Sequence, residues 1–316
     1  MPEKKRLCIV IPIYNDWESL ELLMAEISEQ LCAVFEKIKV LIINDGSTQE
    51  LYQKLSVDKI GLEILHLRRN LGHQKAIAIG ISHLANEKNY DLVIVMDGDG
   101  EDSPVDIMPM VKEHERNPKN IIFAKRQKRK KGAPFVFFYF LYKCIFRIFT
   151  GKFIAFGNFC LIPGDKVATL AHLSEIWNHF SGGIIRSNLP YTTILMDRRR
   201  RTAGESKMNL VALIIHGISS ISVYIDVVSV RLLLAFGTLI LLSFLGIIGV
   251  IALRLYTDLA IPGWASTIGI GLVLIILQAF FILLILSFII SSYRSQMVFI
   301  PAIHYRDYIL KIEKHE

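Results

Sequence analysis

Cysteine is scarce in this chain: four residues, at positions 8, 32, 144 and 160, among 316. None forms a CxxC pair, and no His/Cys cluster has zinc spacing, so neither a disulfide scaffold nor a zinc module is expected. The four read as small, reduced core or interface residues. Charge is missing from one long stretch. Between positions 232 and 290 only Arg254 and Asp258 carry any, which argues against a fully soluble protein. No tandem repeat of roughly 20–50 residues is present, which excludes a solenoid or propeller. A cleavable leader is not expected at the start of this sequence. Met1 to Arg6 is basic and precedes an apolar run, but that run is short, contains Pro12 and meets no small-residue cleavage site. It reads as a first strand, and its domain is expected in the cytoplasm.

The composition is 52% hydrophobic and 21% charged, which excludes a disordered or collagen-like chain. Lys and Arg outnumber Asp and Glu by 36 to 29, a net charge of +7 that suits anionic partners. The length allows one large domain or two ordinary ones, at about 100–200 residues each. The first two hundred residues look water-soluble, which argues against a polytopic channel or carrier.

Strand and helix alternate in this first part. Residues 7–13 are apolar and β-branched. Residues 17–35 place Leu20, Leu23, Met24, Ile27, Leu31 and Val34 on one helical face. Strands are expected at 40–43, 62–67 and 92–96, with a helix over 73–85. This β-α-β order predicts an α/β fold, a doubly wound and mainly parallel sheet, with ligands at the carboxyl ends of its strands. Three polar clusters fall at such ends: Tyr14-Asn15, Asp45-Gly46-Ser47 and Asp97-Gly98-Asp99.

The second part differs. Residues 125–131 hold six cations in seven positions. The aromatic-rich stretch 135–149 follows, with Lys143 and Arg147 embedded, and suits a helix lying on an anionic membrane surface. Residues 209–231 read as an amphipathic juxtamembrane segment. Residues 232–253 and 268–290 each exceed the roughly 20 apolar residues that cross a bilayer. Arg231 precedes the first span, while Arg294, Arg306, Lys311 and Lys314 follow the second, and the link carries Arg254 and Trp264. The positive-inside rule then puts both termini in the cytoplasm, the link outside, and 291–316 as a cytoplasmic tail.

Alternate carboxylates such as Asp97 and Asp99 can share a divalent metal, which in turn can bridge a diphosphate. A DxD triplet alone is weak; its position after a buried apolar strand strengthens it. Asp45 could accept hydrogen bonds from a nucleobase or ribose, or simply start a turn.

With these motifs the chain resembles the family 2 glycosyltransferases of GT-A fold. The nearest branch is the membrane-anchored one that includes dolichyl-phosphate mannose synthases and bacterial polyprenyl-phosphate glycosyltransferases. Val10-Ile11-Pro12-Ile13-Tyr14-Asn15 is similar to the family's opening strand, and Asn44-Asp45-Gly46-Ser47-Thr48 to its nucleotide-binding turn. Arg69-Asn70-Leu71-Gly72 with Lys75 resembles its RN-x-G segment. Residues 97–102 occupy its metal motif, and Arg201 to Lys207 match its R-x-x-G-x-S-K segment. The resemblance covers nearly the whole chain. It implies a GT-A domain over 1–208, and a nucleotide pocket of Pro12, Tyr14, Asn15, Glu18, Asp45, Lys75, Asp97 and Gly98. It implies Mg²⁺ or Mn²⁺ on Asp97 and Asp99, with Glu101 where relatives often carry a metal-binding Gln. Arg201 and Lys207 would neutralise the diphosphate or the acceptor phosphate, as arginine's planar fork suits phosphate.

One position departs from that branch. Asn158, in Phe156-Gly157-Asn158-Phe159, stands where a functional Asp is usual, and an amide is no general base at neutral pH. An anionic phosphate acceptor needs no strong base; a sugar hydroxyl does, and Asp102 or His179 are the substitutes on offer. Three readings follow. The first is an inverting transfer from a nucleotide-diphosphate sugar to a polyprenyl phosphate, for cell-surface glycan synthesis. The second is transfer to a hydroxyl of a glycan or glycolipid. The third is a non-catalytic nucleotide-sugar sensor or membrane scaffold. Membrane lipids are expected partners and nucleic acid is not; homo-oligomerisation stays open. The expected location is a bacterial inner membrane, or the endoplasmic reticulum of a eukaryote.

Overall fold

The computed structural model describes residues 5–49, 60–87, 90–126, 133–152, 156–197, 199, 210–257, 263–295 and 298–315. The chain divides into two compact units. The first comprises Met1–Tyr142, Phe153–Val223 and Val298–Glu316; the second comprises Lys143–Lys152 and Tyr224–Met297.

The first unit is built on the expected alternation. Strand β1 (Arg6–Ile13) leads to helix α1 (Trp17–Leu31), then β2 (Lys37–Asn44), β3 (Ile60–Leu67), α2 (His73–Glu87) and β4 (Leu92–Val95). Helix α3 (Ile107–Arg116), β5 (Ile121–Arg126), α4 (Ala133–Thr150), β6 (Cys160–Pro163), α5 (Gly164–Ala171), α6 (Phe180–Arg186) and β7 (Tyr191–Met196) follow. Helix α7 (Leu210–Ser222) closes this part. Helices α8 (Ile225–Tyr256) and α9 (Trp264–Ser295) come next, and β8 (Ile309–His315) ends the chain.

Eight strands form one sheet in the order β7-β5-β6-β4-β1-β2-β3-β8. β1 pairs in parallel with β2 and β4, and β2 with β3, so the centre is a parallel block. β6 runs antiparallel between β4 and β5, and β8 lies antiparallel on β3. Central strands of such a sheet are covered on both faces, which explains why nearly all of β1 is buried. Its alternating side chains serve two layers. Leu7, Ile9 and Ile11 share a core with Leu20, Met24 and Ile27 of α1 and Met110 of α3. Cys8 and Val10 share the other with Ile77, Ile81 and Leu84 of α2 and Leu170 of α5.

The residues after the second span, expected as a tail, fold back into this unit and supply the edge strand β8. The expected juxtamembrane stretch is also divided: α7 ends at Ser222, and α8 begins at Ile225 without a further break. The predicted interfacial stretch is helical, as α4, and exposes Phe140 and Ile148.

In the second unit α8 and α9 pack against each other, and Gly246 lets Leu272 approach. Both helices are long and apolar enough to cross a membrane. Only 6% of the most apolar stretch of each is buried, unlike the core helix of a soluble protein. Arg231 of α8 donates to the Ile148 carbonyl, one of the carbonyls that a helix C-terminus leaves without an internal partner.

Candidate functional site

Asn15, Asp45 and Asp97 follow the carboxyl ends of β1, β2 and β4, which are neighbours in the sheet. The three clusters picked out from sequence are therefore brought together where an open α/β sheet binds ligands.

The loops after β1 and β2 lock together. Asn15 takes a left-handed backbone at φ 56°, a conformation asparagine tolerates. Its N–H donates to Ser47 Oγ at 2.9 Å, and its Oδ1 accepts from the Thr48 and Gln49 amides at 2.8 and 3.0 Å. Trp17 Nε1 donates to the Gln49 carbonyl at 2.9 Å. Tyr14 and Glu18 are exposed beside this loop, whereas Pro12 is a buried strand residue paired with Ile43.

Asp45 is 3% exposed, and its carboxylate accepts from the amides of Leu71 and Gly72 at 2.7 and 2.9 Å. Burial raises its pKa and outweighs these two bonds. The carboxylate expected to meet a nucleotide thus also ties the β2 turn to the Arg69–Gly72 turn. Gly46 fits between them with φ +68°; a Cβ there would lie 2.6 Å from the Arg69 carbonyl carbon and the Asn70 nitrogen.

The acidic loop closes on itself. Asp102, 3% exposed, accepts from the Asp97 amide at 3.0 Å, and Asp99 Oδ1 accepts from the Glu101 amide at 3.0 Å. Gly98 is pressed on β1: a Cβ would come within 2.8 Å of Ile13 Cγ2. The Arg199 amide donates to the Glu101 carbonyl at 3.3 Å, so the chain entering the basic run meets this loop. Arg201 and Lys207 themselves lie outside the described residues.

His73 joins the site, though sequence reasoning did not select it. Its Nε2 lies 3.2 Å from Asp97 Oδ1 and 3.0 Å from Asn158 Nδ2. Partial desolvation opposes protonation of this exposed side chain, but Asp97, with Asp102 and Asp99 behind it, raises the imidazole pKa. Its place at the first position of α2, directly after Gly72, was the one available signal. Lys75 sets its ammonium 5.6 Å from the Trp177 ring. His179 is 4% exposed and caps α6, its Nδ1 accepting the Gly182 amide at 3.0 Å.

The donor set fits a hard divalent cation. Asp97, Asp99 and Glu101 offer oxygen on one loop, and their loop's negative field is already felt by His73. A second acidic group, Glu63 with His83 and Glu87, lies near the amino-terminal ends of β2 and β3. Lys39 occupies it, at 2.6 Å from Glu87 and in close contact with Glu63, so it is an ion-pair network.

Residues 8–162 match the family described as Glycosyl transferase family 2. The chain carries a family 2 glycosyltransferase domain. Its GT-A fold is shared with glucosyl-3-phosphoglycerate synthase of Mycobacterium tuberculosis, solved with Mn²⁺, UDP-glucose and phosphoglyceric acid. That likeness has a TM-score of 0.51 at 12% identity, over 71% of this chain and 80% of that one. An uncharacterized glycosyltransferase, YkcC of Bacillus subtilis (strain 168), is 29% identical over 85% of each chain. The dodecaprenyl-phosphate galacturonate synthase of Rhizobium johnstonii is 28% identical over 130 residues, 40% of this glycosyltransferase and 37% of that one.

Proposed function

We propose that this glycosyltransferase moves a sugar from a nucleotide-diphosphate sugar to a polyprenyl phosphate at a membrane. The observation that carries the acceptor is the state of the two side chains picked out from sequence as bases, since His73 lies against Asp97, which favours its protonated form. Asp102 is buried and closes the acidic loop, and His179 is buried and caps α6. Each is committed to a structural bond, and Asn158 is an amide. A hydroxyl acceptor needs a base to become a nucleophile; a phosphate monoester arrives as an anion. Asn158 and His73 set nitrogen groups beside Asp97, where they suit such an anion.

The acceptor oxygen attacks the anomeric carbon as the bond to the donor's β-phosphate oxygen breaks, and the nucleoside diphosphate leaves with the electron pair. Inversion follows from a single in-line step. Asp97 and Asp99, with Glu101 as a third ligand, would hold Mg²⁺ or Mn²⁺, whose chemistry is to neutralise charge on the departing diphosphate. Arg201 and Lys207 are assigned to the same diphosphate or to the acceptor phosphate. Asn15, Asp45 and the Leu71 and Gly72 amides keep the donor loops in register. Aromatic α4 and the two long helices would hold the site at the lipid surface.

Purified full-length protein in lipid nanodiscs, given radiolabelled UDP- and GDP-sugars, polyprenyl phosphate and Mn²⁺, should place label in an organic-phase phosphoglycolipid. Asp97→Asn should lower turnover by roughly a hundredfold or more. Transfer to a glycan hydroxyl with no labelled lipid would sink the phosphate acceptor. Nucleotide binding without any turnover would favour a sensor.

A further inference from the structure

The residues after α9 make contacts that converge on the donor turn. Residues 298–315 belong to the first unit, and β8 runs along β3 as far as the Leu67–Ile309 pair. Just beyond, the Arg68 amide donates to the Tyr308 carbonyl at 2.9 Å, and Arg68 Nε to the Asp307 carbonyl at 3.0 Å. These bonds fix the chain immediately before Arg69-Asn70-Leu71-Gly72, whose last two amides hold Asp45.

His66 adds a side-chain route. Its Nε2 lies 3.3 Å from the Glu313 carboxylate, and its Nδ1 lies 3.0 Å from Asn44 Nδ2. Asn44 Oδ1 accepts the Ser47 amide at 2.9 Å, so its Nδ2 is the donor to His66. That leaves the protonated Nε2 facing the Glu313 carboxylate, a polar contact without hydrogen-bond alignment. A continuous set of polar contacts therefore runs from β8 through His66 and Asn44 to the turn that carries Asp45. On the helical side, Phe299 and Tyr308 pack at a tilt against Trp177, at 4.3 and 5.1 Å between centroids, and Trp177 faces the Lys75 ammonium.

We infer that residues 298–315 are a positioning element of the donor site, so that nucleotide binding depends on a strand delivered only after the chain has run through α8 and α9. This rests on the transferase reading above. Without β8, the outer edge of β3 loses its ladder and the Arg68–Gly72 turn loses its anchor, and an edge so opened frays. The Asp45 contacts, and the donor, then bind a less ordered turn.

The test compares full-length wild type with Ile309→Asp, which unseats β8 from the core, and with the milder Glu313→Gln and Glu313→Asp. Three readouts are taken: amide exchange at Leu71 and Gly72, donor affinity, and kcat against KM for each substrate. Glu313→Gln should raise the donor Kd and KM by roughly threefold, the worth of one weak polar contact, and leave kcat and the acceptor KM unchanged. Glu313→Asp should restore affinity. Ile309→Asp should speed exchange at Leu71 and Gly72 well before the rest of the sheet. Unchanged exchange and donor affinity in Ile309→Asp would overturn the inference, as would equal loss for donor and acceptor in Glu313→Gln. A wild type that binds no nucleotide sugar would sink the transferase reading instead, while the exchange measurement would still decide whether the segment holds the turn.

Discussion

Gly46 is the tightest point of the donor turn. Its φ of +68° is a conformation that costs an L-residue about 1–2 kcal/mol. The backbone of Arg69 and Asn70 fills the space a methyl group would need, and backbone cannot swing aside as a side chain can. Overpacking of this kind adds typically about 1–3 kcal/mol. Gly46→Ala should therefore lower the unfolding temperature and weaken nucleotide binding together. Calorimetric unfolding and nucleotide titration check this; a stable variant with unchanged affinity would show that the two turns are not pressed together. At this scale the sequence announced Asn15, Asp45, Asp97 and Asp99, because each is a polar residue within three positions of the end of an apolar run. It did not announce His73, whose partners Asp97 and Asn158 are distant in the chain and meet it only once α2 packs on the sheet. Nor did it show that Asp102 and His179 are buried, since an Asp and a His in polar surroundings look available until their hydrogen bonds are seen.

At the scale of elements, one network ties β2, β3 and α2 to β8. Lys39 bonds Glu63 and Glu87, His83 lies 3.3 Å from Glu63 and 3.5 Å from Glu87, and Lys314 comes within 3.6 Å of Glu63. Burial alone would raise Glu63 and lower Lys39 and His83, but the mutual bonds reverse all three. The His83 hydrogen bond, with help from Lys39, holds Glu87 far below the usual carboxylate range. The signs set a window. The lowered carboxylates contribute stability above their unfolded pKa of about 4.5, and it is lost as pH falls below that. The raised His83 contributes fully below its unfolded value of about 6.5 and loses that share as pH rises through its folded value. The network should thus stabilise most between about pH 4.5 and 6.5. Lys39→Met should leave Glu63, 1% exposed, with only His83 and the more distant Lys314 against its charge, at a cost of about 1–3 kcal/mol. Thermal unfolding across pH tests both; a Lys39→Met curve that overlays wild type would dismiss the network. β2 was legible because its stretch 40–43 is the apolar run of a parallel central strand, and β3 because apolar residues dominate it despite Glu63 and His66. β8 was not: Ile309 to His315 mixes three apolar with four polar or charged residues, mostly exposed, as an edge strand allows. Nothing local says that it pairs with a strand far earlier in the chain.

For the whole molecule, the two long helices set the topology. Each has 32 residues, about 48 Å at 1.5 Å per residue, against a hydrocarbon core of about 30 Å. Arg231 and Arg254 of α8 are 23 residues apart, about 34 Å along the axis, which suits one charge at each interface. Trp264 and Tyr293 stand near opposite ends of α9, where aromatic anchors belong. The first unit gives up the chain at Val223 and receives it again at Val298, so both ends of the hairpin must open on the same side of the bilayer for β8 to reach β3. We propose that this side is the cytoplasm, where the positive-inside rule places Arg306, Lys311 and Lys314. A phosphatase active only outside the cytoplasm, inserted between Thr257 and Gly263, should be active in a bacterial host. The same reporter fused after Glu316 should be inactive. The reverse pattern would invert the orientation and place the donor site away from cytoplasmic nucleotide sugars. An active reporter at both positions would mean that the second helix fails to return. In that case β8 would be stranded across the bilayer from β3, and the amides of Leu71 and Gly72 should exchange as fast as they do in Ile309→Asp.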